Sequence, residues 1–238
     1  GSLFFIISRA IGATARLYLV VNVLQIFLLE GLGIPFWATA LVILSMVLLY
    51  TFEGGVKTIV ITDTLQTSFM IISLLGCIIY ILSHLHISVP EAYQMLSAKE
   101  YTHFINTDIN SKTFFLKTIL GGMFITIAMT GLDQEMMQKN ISVKTLKDAQ
   151  KNIVSFSFVL LLVNALFLFL GGLLYLYAQQ NGWEFAPDDM FPSIVRDHLP
   201  KGIFLIFIIG LISAAYPSAD GALTSLTTSF CVDILGLN

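Results

Sequence analysis

An all-helical, polytopic transmembrane bundle is the fold the sequence predicts, on three observations. Hydrophobic residues make up 56% of the 238, and mean hydropathy is +0.86. Only 11% of residues are charged, whereas a soluble domain carries roughly 25%. Six apolar runs are each long enough, or nearly so, to cross a hydrocarbon core of about 30 Å as a helix. Soluble enzymes, nucleic-acid-binding proteins and disordered regions are excluded at this step. The net charge of -3 and pI near 5.7 leave no basic footprint for nucleic acid. Two cysteines, Cys77 and Cys231, both inside apolar runs, give no disulfide framework.

The runs are residues 3–29, 35–50, 58–85, 114–129, 144–178 and 202–235. The first continues past Arg9 and Arg16 to Leu29, too long for a secretory signal. The second opens on Pro35, favoured at a first helical turn. A turn at 51–57 separates it from the third. The fourth stops within Ala128-Met129-Thr130-Gly131, as a cytoplasmic C-cap or as a broken helix of the kind that exposes backbone in transporters. The fifth begins on a polar amphipathic stretch near Lys144. With lipid as solvent, backbone groups must pair within each segment, and the alternation of a barrel is absent. We expect one membrane domain over residues 1–238, a piece of a longer membrane protein.

Two loops hold short structure. In 86–112, Ser88-Val89-Pro90-Glu91 reads as a capped surface helix. In 182–201, a short helix is expected over Met190 to His198. Arg9, Arg16, Lys57, Lys139, Lys144, Lys147 and Lys151 fall on one side of the bilayer, and Lys99, Lys112, Lys117, Arg196 and Lys201 on the other. The first side is therefore the expected cytoplasmic one, with both ends of the chain on it. The four histidines sit at or in loops on the opposite side, without metal-ligand spacing.

An acid inside a spanning helix is costly and marks a functional position. Asp63 lies near the cytoplasmic end of the third run, with Gln66 and Thr67 on its face at i+3 and i+4. It is a cation-pathway carboxylate or an interfacial acid paired with Lys57. The sixth run carries Ser213, Ser218, Thr224, Ser225, Thr227, Thr228 and Ser229 together with Pro217 and Asp220. Small residues at this density permit close helix packing. Ala214 and Ser218, one turn apart, present a carbonyl and a hydroxyl to a hard cation. Pro217 has no N–H, so the Ser213 carbonyl loses its helical partner, the turn loosens, and a metal ion, water or a hydroxyl must replace it.

Three stretches, in order and at the right spacing, resemble the solute:sodium symporter family. They are Tyr50-Thr51-Phe52-Glu53-Gly54-Gly55-Val56-Lys57-Thr58 with Thr62-Asp63-Thr64-Leu65-Gln66; Asp133-Gln134 with Gln138-Lys139, Lys144 and Ala149-Gln150-Lys151; and Ala214 to Ile234. The resemblance implies core helices three to eight of a five-plus-five inverted-repeat fold and sodium-coupled alternating access in the plasma (inner) membrane. Core helices one, nine and ten of the same protein would be partners outside this chain. It implies that Ala214 and Ser218 contribute to a principal sodium site and that Asp63 and Asp220 line a second site or exit path. Pro217 stands where many members have a second hydroxyl residue. The solute is not implied. Where sugar-binding members place an asparagine and a lysine, this chain has Thr126 and Leu160. Thr126, Thr130 and Asn164 are the substrate candidates, with Ser155 and Ser157 as further polar positions. No enzymatic constellation is present. A symporter-like sensory module and a proton-coupled carrier are the competing expectations.

Overall fold

A computed structural model describes residues 2–102, 105–131, 137 and 140–236, with side chains described except at 27, 28, 30, 50–60, 62, 129, 130, 214–218 and 220. Every regular element among the described residues is helical. Helix α1 spans Ser2–Leu24 and passes into a π-helical turn, Gln25–Leu29, and a 3-10 turn, Glu30–Leu32. Gly33, at φ +69°, takes the left-handed conformation that redirects the chain into α2. Helix α2 spans Phe36–Leu85, α3 Val89–Ala98 and α4 Phe115–Thr126, the last extended by a π turn over Ile127–Gly131. Helix α5 spans Leu146–Asn181, α6 Met190–His198 and α7 Lys201–Thr228, followed by a π turn over Ser229–Ile234.

Three of these segments are long and apolar enough to cross a membrane: Ser2–Leu24, Asp63–Leu85 and Leu146–Asn181. Phe36–Leu49, Phe115–Thr126 and Lys201–Ser213 are shorter apolar helices. The expected turn at 51–57 is not found, because α2 is helical from Phe36 to Leu85. No proline interrupts it, and each glycine of Gly54-Gly55 costs only about 1 kcal/mol in a helix interior. Fifty residues make about 75 Å of helix. That is over twice a bilayer core of about 30 Å, and a continuous helix does not double back, so the expected second and third runs are joined in one element.

The chain divides into two compact units, residues 1–79 with 178–238, and residues 80–177. In the first, α7 packs chiefly on α1, and the π turn after α7 also lies on α1. Helix α6 buries Pro192, Ser193, Ile194 and Val195, packing on α7 and on the π turn after α1. Phe191 meets Phe207 edge to face, with ring centroids 4.8 Å apart. In the second unit, Leu170, Leu173, Leu174 and Tyr177 of α5 form the core with Ile81, Ala92 and Leu96.

Local signals account for most helix ends. Ser88 and Glu91 close a capping box on α3: the Glu91 carboxylate accepts from the Ser88 N–H at 2.6 Å, and Ser88 Oγ accepts from the Glu91 N–H. These bonds favour the charged form, and the Ser88 N–H chiefly holds the Glu91 carboxyl below its usual value of 4.5. A depressed carboxyl contributes stability above its unfolded pKa and loses it as pH falls through the folded one. Protection of the amides in the first turn of α3, relative to their intrinsic exchange rates, is therefore expected to fall as pH drops below about 4.5. Glu91→Gln, which keeps the acceptor but not the charge, should be less protected than the parent at neutral pH and change little with pH. Thr145 caps α5, its Oγ1 accepting from the Asp148 N–H at 3.1 Å and donating to the Asp148 carboxylate at 2.7 Å.

Three helices end on a left-handed residue with paired backbone bonds, the arrangement usually built on glycine. Gly182 does this for α5, with Trp183 N–H donating to Ala178 at 2.9 Å. His86 (φ 53°) and Glu100 (φ 62°) do it for α2 and α3 without glycine.

Candidate functional site

The buried face of α7 is built from small and hydroxyl residues. Gly210, Ser213, Ala219, Gly221, Ala222, Ser225 and Ser229 are all buried, and their absence of bulk lets neighbouring helices approach closely. At Gly210, an added Cβ would sit 3.0 Å from Ser73 Cβ and 3.4 Å from Met70 Cα. The second half of α2 therefore crosses α7 with backbone near backbone. Asp63, Gln66, Met70 and Ser73 occupy one stripe of α2 at helical spacing. Asp63 lies ten residues before Ser73, and Asp220 ten residues after Gly210.

Asp63 is half-buried. One turn further, Gln66 Oε1 is buried without a hydrogen-bond partner among the described residues. A buried acceptor in that state costs about 1–3 kcal/mol unless a donor or a cation meets it. The backbone of residues 214–220 is α-helical, and α7 continues through Pro217 without interruption. Pro217 does not end the helix, because neighbouring groups can satisfy a proline-freed carbonyl in a membrane helix. The side chains of Ala214, Ser218 and Asp220 lie outside the described residues, as does that of Thr130. In helical register, Ala214 and Ser218 precede Ala222 at one-turn intervals.

The described hydroxyls at the end of α7 spend their protons locally. Ser225 Oγ donates to the Ala222 carbonyl at 3.1 Å, Thr228 Oγ1 to Thr224 at 2.9 Å, and Ser229 Oγ to the Asp233 carboxylate at 2.8 Å. A hydroxyl whose proton is committed still has lone pairs for a hard cation. Such a donor set suits sodium, which takes oxygen ligands.

The substrate candidates with described side chains fall in the second unit, and both are exposed. Thr126 Oγ1 donates to the Gly122 carbonyl at 2.8 Å, in the turn where α4 gives way to its π segment. Asn164 Nδ2 donates to Leu160 at 2.9 Å, leaving its oxygen free to accept. Ser157 likewise donates to Ile153. Single-turn π segments frequently mark functional positions, and one follows each of α1, α4 and α7.

Sequence reading missed Gln25. Its amide donates to the Ile34 carbonyl and its oxygen accepts from Thr39 Oγ1 at 2.6 Å. Gln25 thus ties the π turn after α1 to the start of α2. A lone glutamine between Leu24 and Ile26 in an apolar run was the available signal. Two of the described histidines, His84 and His198, serve packing. His84 stands between Tyr80, stacked at 5.8 Å, and Tyr177, edge-on at 5.4 Å. His198 stacks on Trp183 at 3.5 Å. His103 and Asp133-Gln134 lie outside the described residues.

Apolar helices of spanning length beside a helix rich in small and hydroxyl residues define a multi-pass membrane protein. Residues 13–234 match the sodium:solute symporter family, and the chain belongs to it. It is 24% identical over 251 residues to a sodium/glucose cotransporter of Vibrio parahaemolyticus, covering 92% of this chain and 45% of that protein. It is 22% identical over 203 residues to a sodium/sialic acid symporter of Proteus mirabilis (strain HI4320), covering 82% and 40%. A sodium-coupled monocarboxylate transporter 2 of Mus musculus is 24% identical, covering 82% and 33%. A solved structure of a Na+-coupled sialic acid symporter, substrate-bound and outward-open, shares the fold at TM-score 0.87 and 21% identity. That match covers 98% of this chain and 50% of the other. The chain thus spans half or less of the length of these relatives.

Proposed function

We propose that this chain is part of a secondary transporter that couples inward movement of sodium to uptake of a small polar solute. Its family membership over residues 13–234 carries the reading. It would work by alternating access in the plasma (inner) membrane, with six spans, both ends cytoplasmic and no catalytic chemistry. Six spans require the chain to turn back between the apolar segments 36–49 and 63–85, within a stretch where α2 is one continuous helix in this structure.

Sodium is cargo here, held by oxygen ligands: the Ala214 carbonyl and Ser218 hydroxyl, with Asp220 and Asp63 supplying charge. The crossing at Ser73 and Gly210 supports this pairing. With the two helices antiparallel, as alternating spans require, ten residues on each bring Asp63 and Asp220 to one level, about 15 Å from the crossing. The orphaned Gln66 oxygen lies on the same stripe. Helices outside the chain would supply the remaining ligands and much of the solute pocket. Thr126, Thr130 and Asn164 are its contribution to that pocket.

The relatives named above set the probes. In proteoliposomes of the full-length protein on a solid-supported membrane, sodium plus the right solute among sialic acid, glucose and a monocarboxylate should evoke a transient current. The same solute in potassium should evoke none. Current driven by a pH step and indifferent to sodium would establish proton coupling instead. Silence towards every solute, with a signalling domain elsewhere in the full-length protein, would favour the sensory reading.

A further inference from the structure

We propose that α3 lies in the plane of the membrane interface, with Val89 and Tyr93 seated in lipid on the side of the bilayer that carries the 86–112 loop. The inference rests on the chain being a membrane protein and is independent of sodium coupling. Helix α3 begins four residues after α2 ends at Leu85, so it cannot travel far from the bilayer surface. Its ten residues divide into two arcs at 100° per residue. Ala92 and Leu96 are buried, at 0% and 6% exposure. Val89 and Tyr93, on the adjoining flank, are 54% and 51% exposed. Glu91, Gln94 and Ala98 occupy the opposite arc and are exposed, while Ser97, one turn after Tyr93, borders the apolar flank.

Depth follows from what Leu96 touches. A Cβ on Gly172 of α5 would lie 2.7 Å from a Leu96 methyl, so the leucine fills the space the glycine leaves. Gly172 is seven residues before Gln179, where α5 first turns polar at that end. At 1.5 Å per residue Leu96 docks about 10 Å inside that polar end. In-plane amphipathic helices sit with their apolar face about 5–10 Å into the boundary of headgroups and acyl chains.

The chain following α3 keeps the same level. Tyr101 meets Tyr175 of α5 edge-on, with centroids 5.2 Å apart, and Lys99 Nζ lies 5.5 Å over the Tyr175 ring. Tyrosines and a lysine at this depth are the residues that anchor proteins at the interface. The protein partner of α3 is already in place on its Ala92–Leu96 side. At that depth the flank beside it meets acyl chains, which are the solvent of the neighbouring α5 surface.

The test uses the full-length protein with native cysteines replaced and one nitroxide at a time, on Val89→Cys, Tyr93→Cys, Gln94→Cys or Ala98→Cys. These positions are all exposed, so labels there leave the packing intact. Reconstituted in phosphatidylcholine–phosphatidylglycerol vesicles, each label is read for collision with oxygen, concentrated in lipid, and with a nickel chelate, confined to water. The ratio of oxygen to nickel accessibility should be severalfold higher at 89 and 93 than at 94 and 98. Equal ratios at the four positions, or nickel access at 89 and 93, would place the flank in water and overturn the proposal. Shielding of 89 and 93 from both reagents would show instead that the rest of the protein covers them, and would overturn it equally.

Discussion

Gly210→Leu is expected to lower the stability of the full-length protein by on the order of 3 kcal/mol, the upper range for overpacking a tight contact. The added side chain would enter where even a Cβ meets Ser73 Cβ at 3.0 Å and the α2 backbone, Met70 Cα, at 3.4 Å. Backbone cannot yield as a flexible side-chain tip can, so α2 and α7 must separate. Gly210→Ala should cost less, because a few tenths of an ångström suffice. Ser73→Gly removes the nearer Cβ and should recover much of the Gly210→Ala loss but little of the Gly210→Leu loss. Thermal unfolding in detergent reads all four variants. A Gly210→Leu midpoint equal to that of the parent would mean the two helices do not cross there.

The second large effect belongs to the cation. Ser218→Ala in the full-length protein is expected to weaken apparent sodium affinity while leaving membrane insertion intact. Losing one oxygen from a desolvated site costs about 1–3 kcal/mol, which is roughly a 5- to 150-fold rise in the sodium concentration for half-maximal uptake. Asp63→Asn and Asp220→Asn should also impair coupling, by amounts that depend on whether each acid serves the same ion. Asp63→Asn keeps the hydrogen-bonding shape and removes the charge, so it tests charge alone. A Ser218→Ala protein with unchanged sodium dependence would reduce the α7 hydroxyls to packing devices.

Much of this architecture is legible in the sequence, for reasons that differ from element to element. The Ser88–Glu91 box and the Thr145 cap are local, so four residues specify them. The small-residue face of α7 is visible as composition, yet its partner is not: periodicity names a face and never what lies against it. Ser73 on Gly210 and Leu96 on Gly172 therefore emerge only in three dimensions. The turn expected at 51–57 is absent because a polar gap between two apolar runs need not be a turn, and the helical stretches on both sides carry the chain through it. His86 and Glu100 were invisible as helix stops because each occupies a left-handed position that glycine normally announces.

The candidate site was half legible. Hydroxyls, Pro217 and Asp220 stand out against lipid-soluble neighbours, and Asp63 with Gln66 does so on α2. Which hydroxyl protons are already committed is a matter of rotamer and register, and Ser225, Thr228 and Ser229 reveal it only in the structure. Gln25 was overlooked because one amide in an apolar helix carries no pattern, although its two bonds fix how α2 departs from α1.

Coupling is the central claim, and accumulation against a gradient tests it most directly. Full-length protein in tight liposomes is given an inward sodium gradient and equal solute on both sides, for each of the three solutes named above. The account predicts that one solute concentrates inside, that its accumulation ratio rises with the imposed sodium ratio, and that collapsing the sodium gradient releases it. Solute that equilibrates without concentrating, or concentrates equally under a proton gradient with sodium absent, would contradict it.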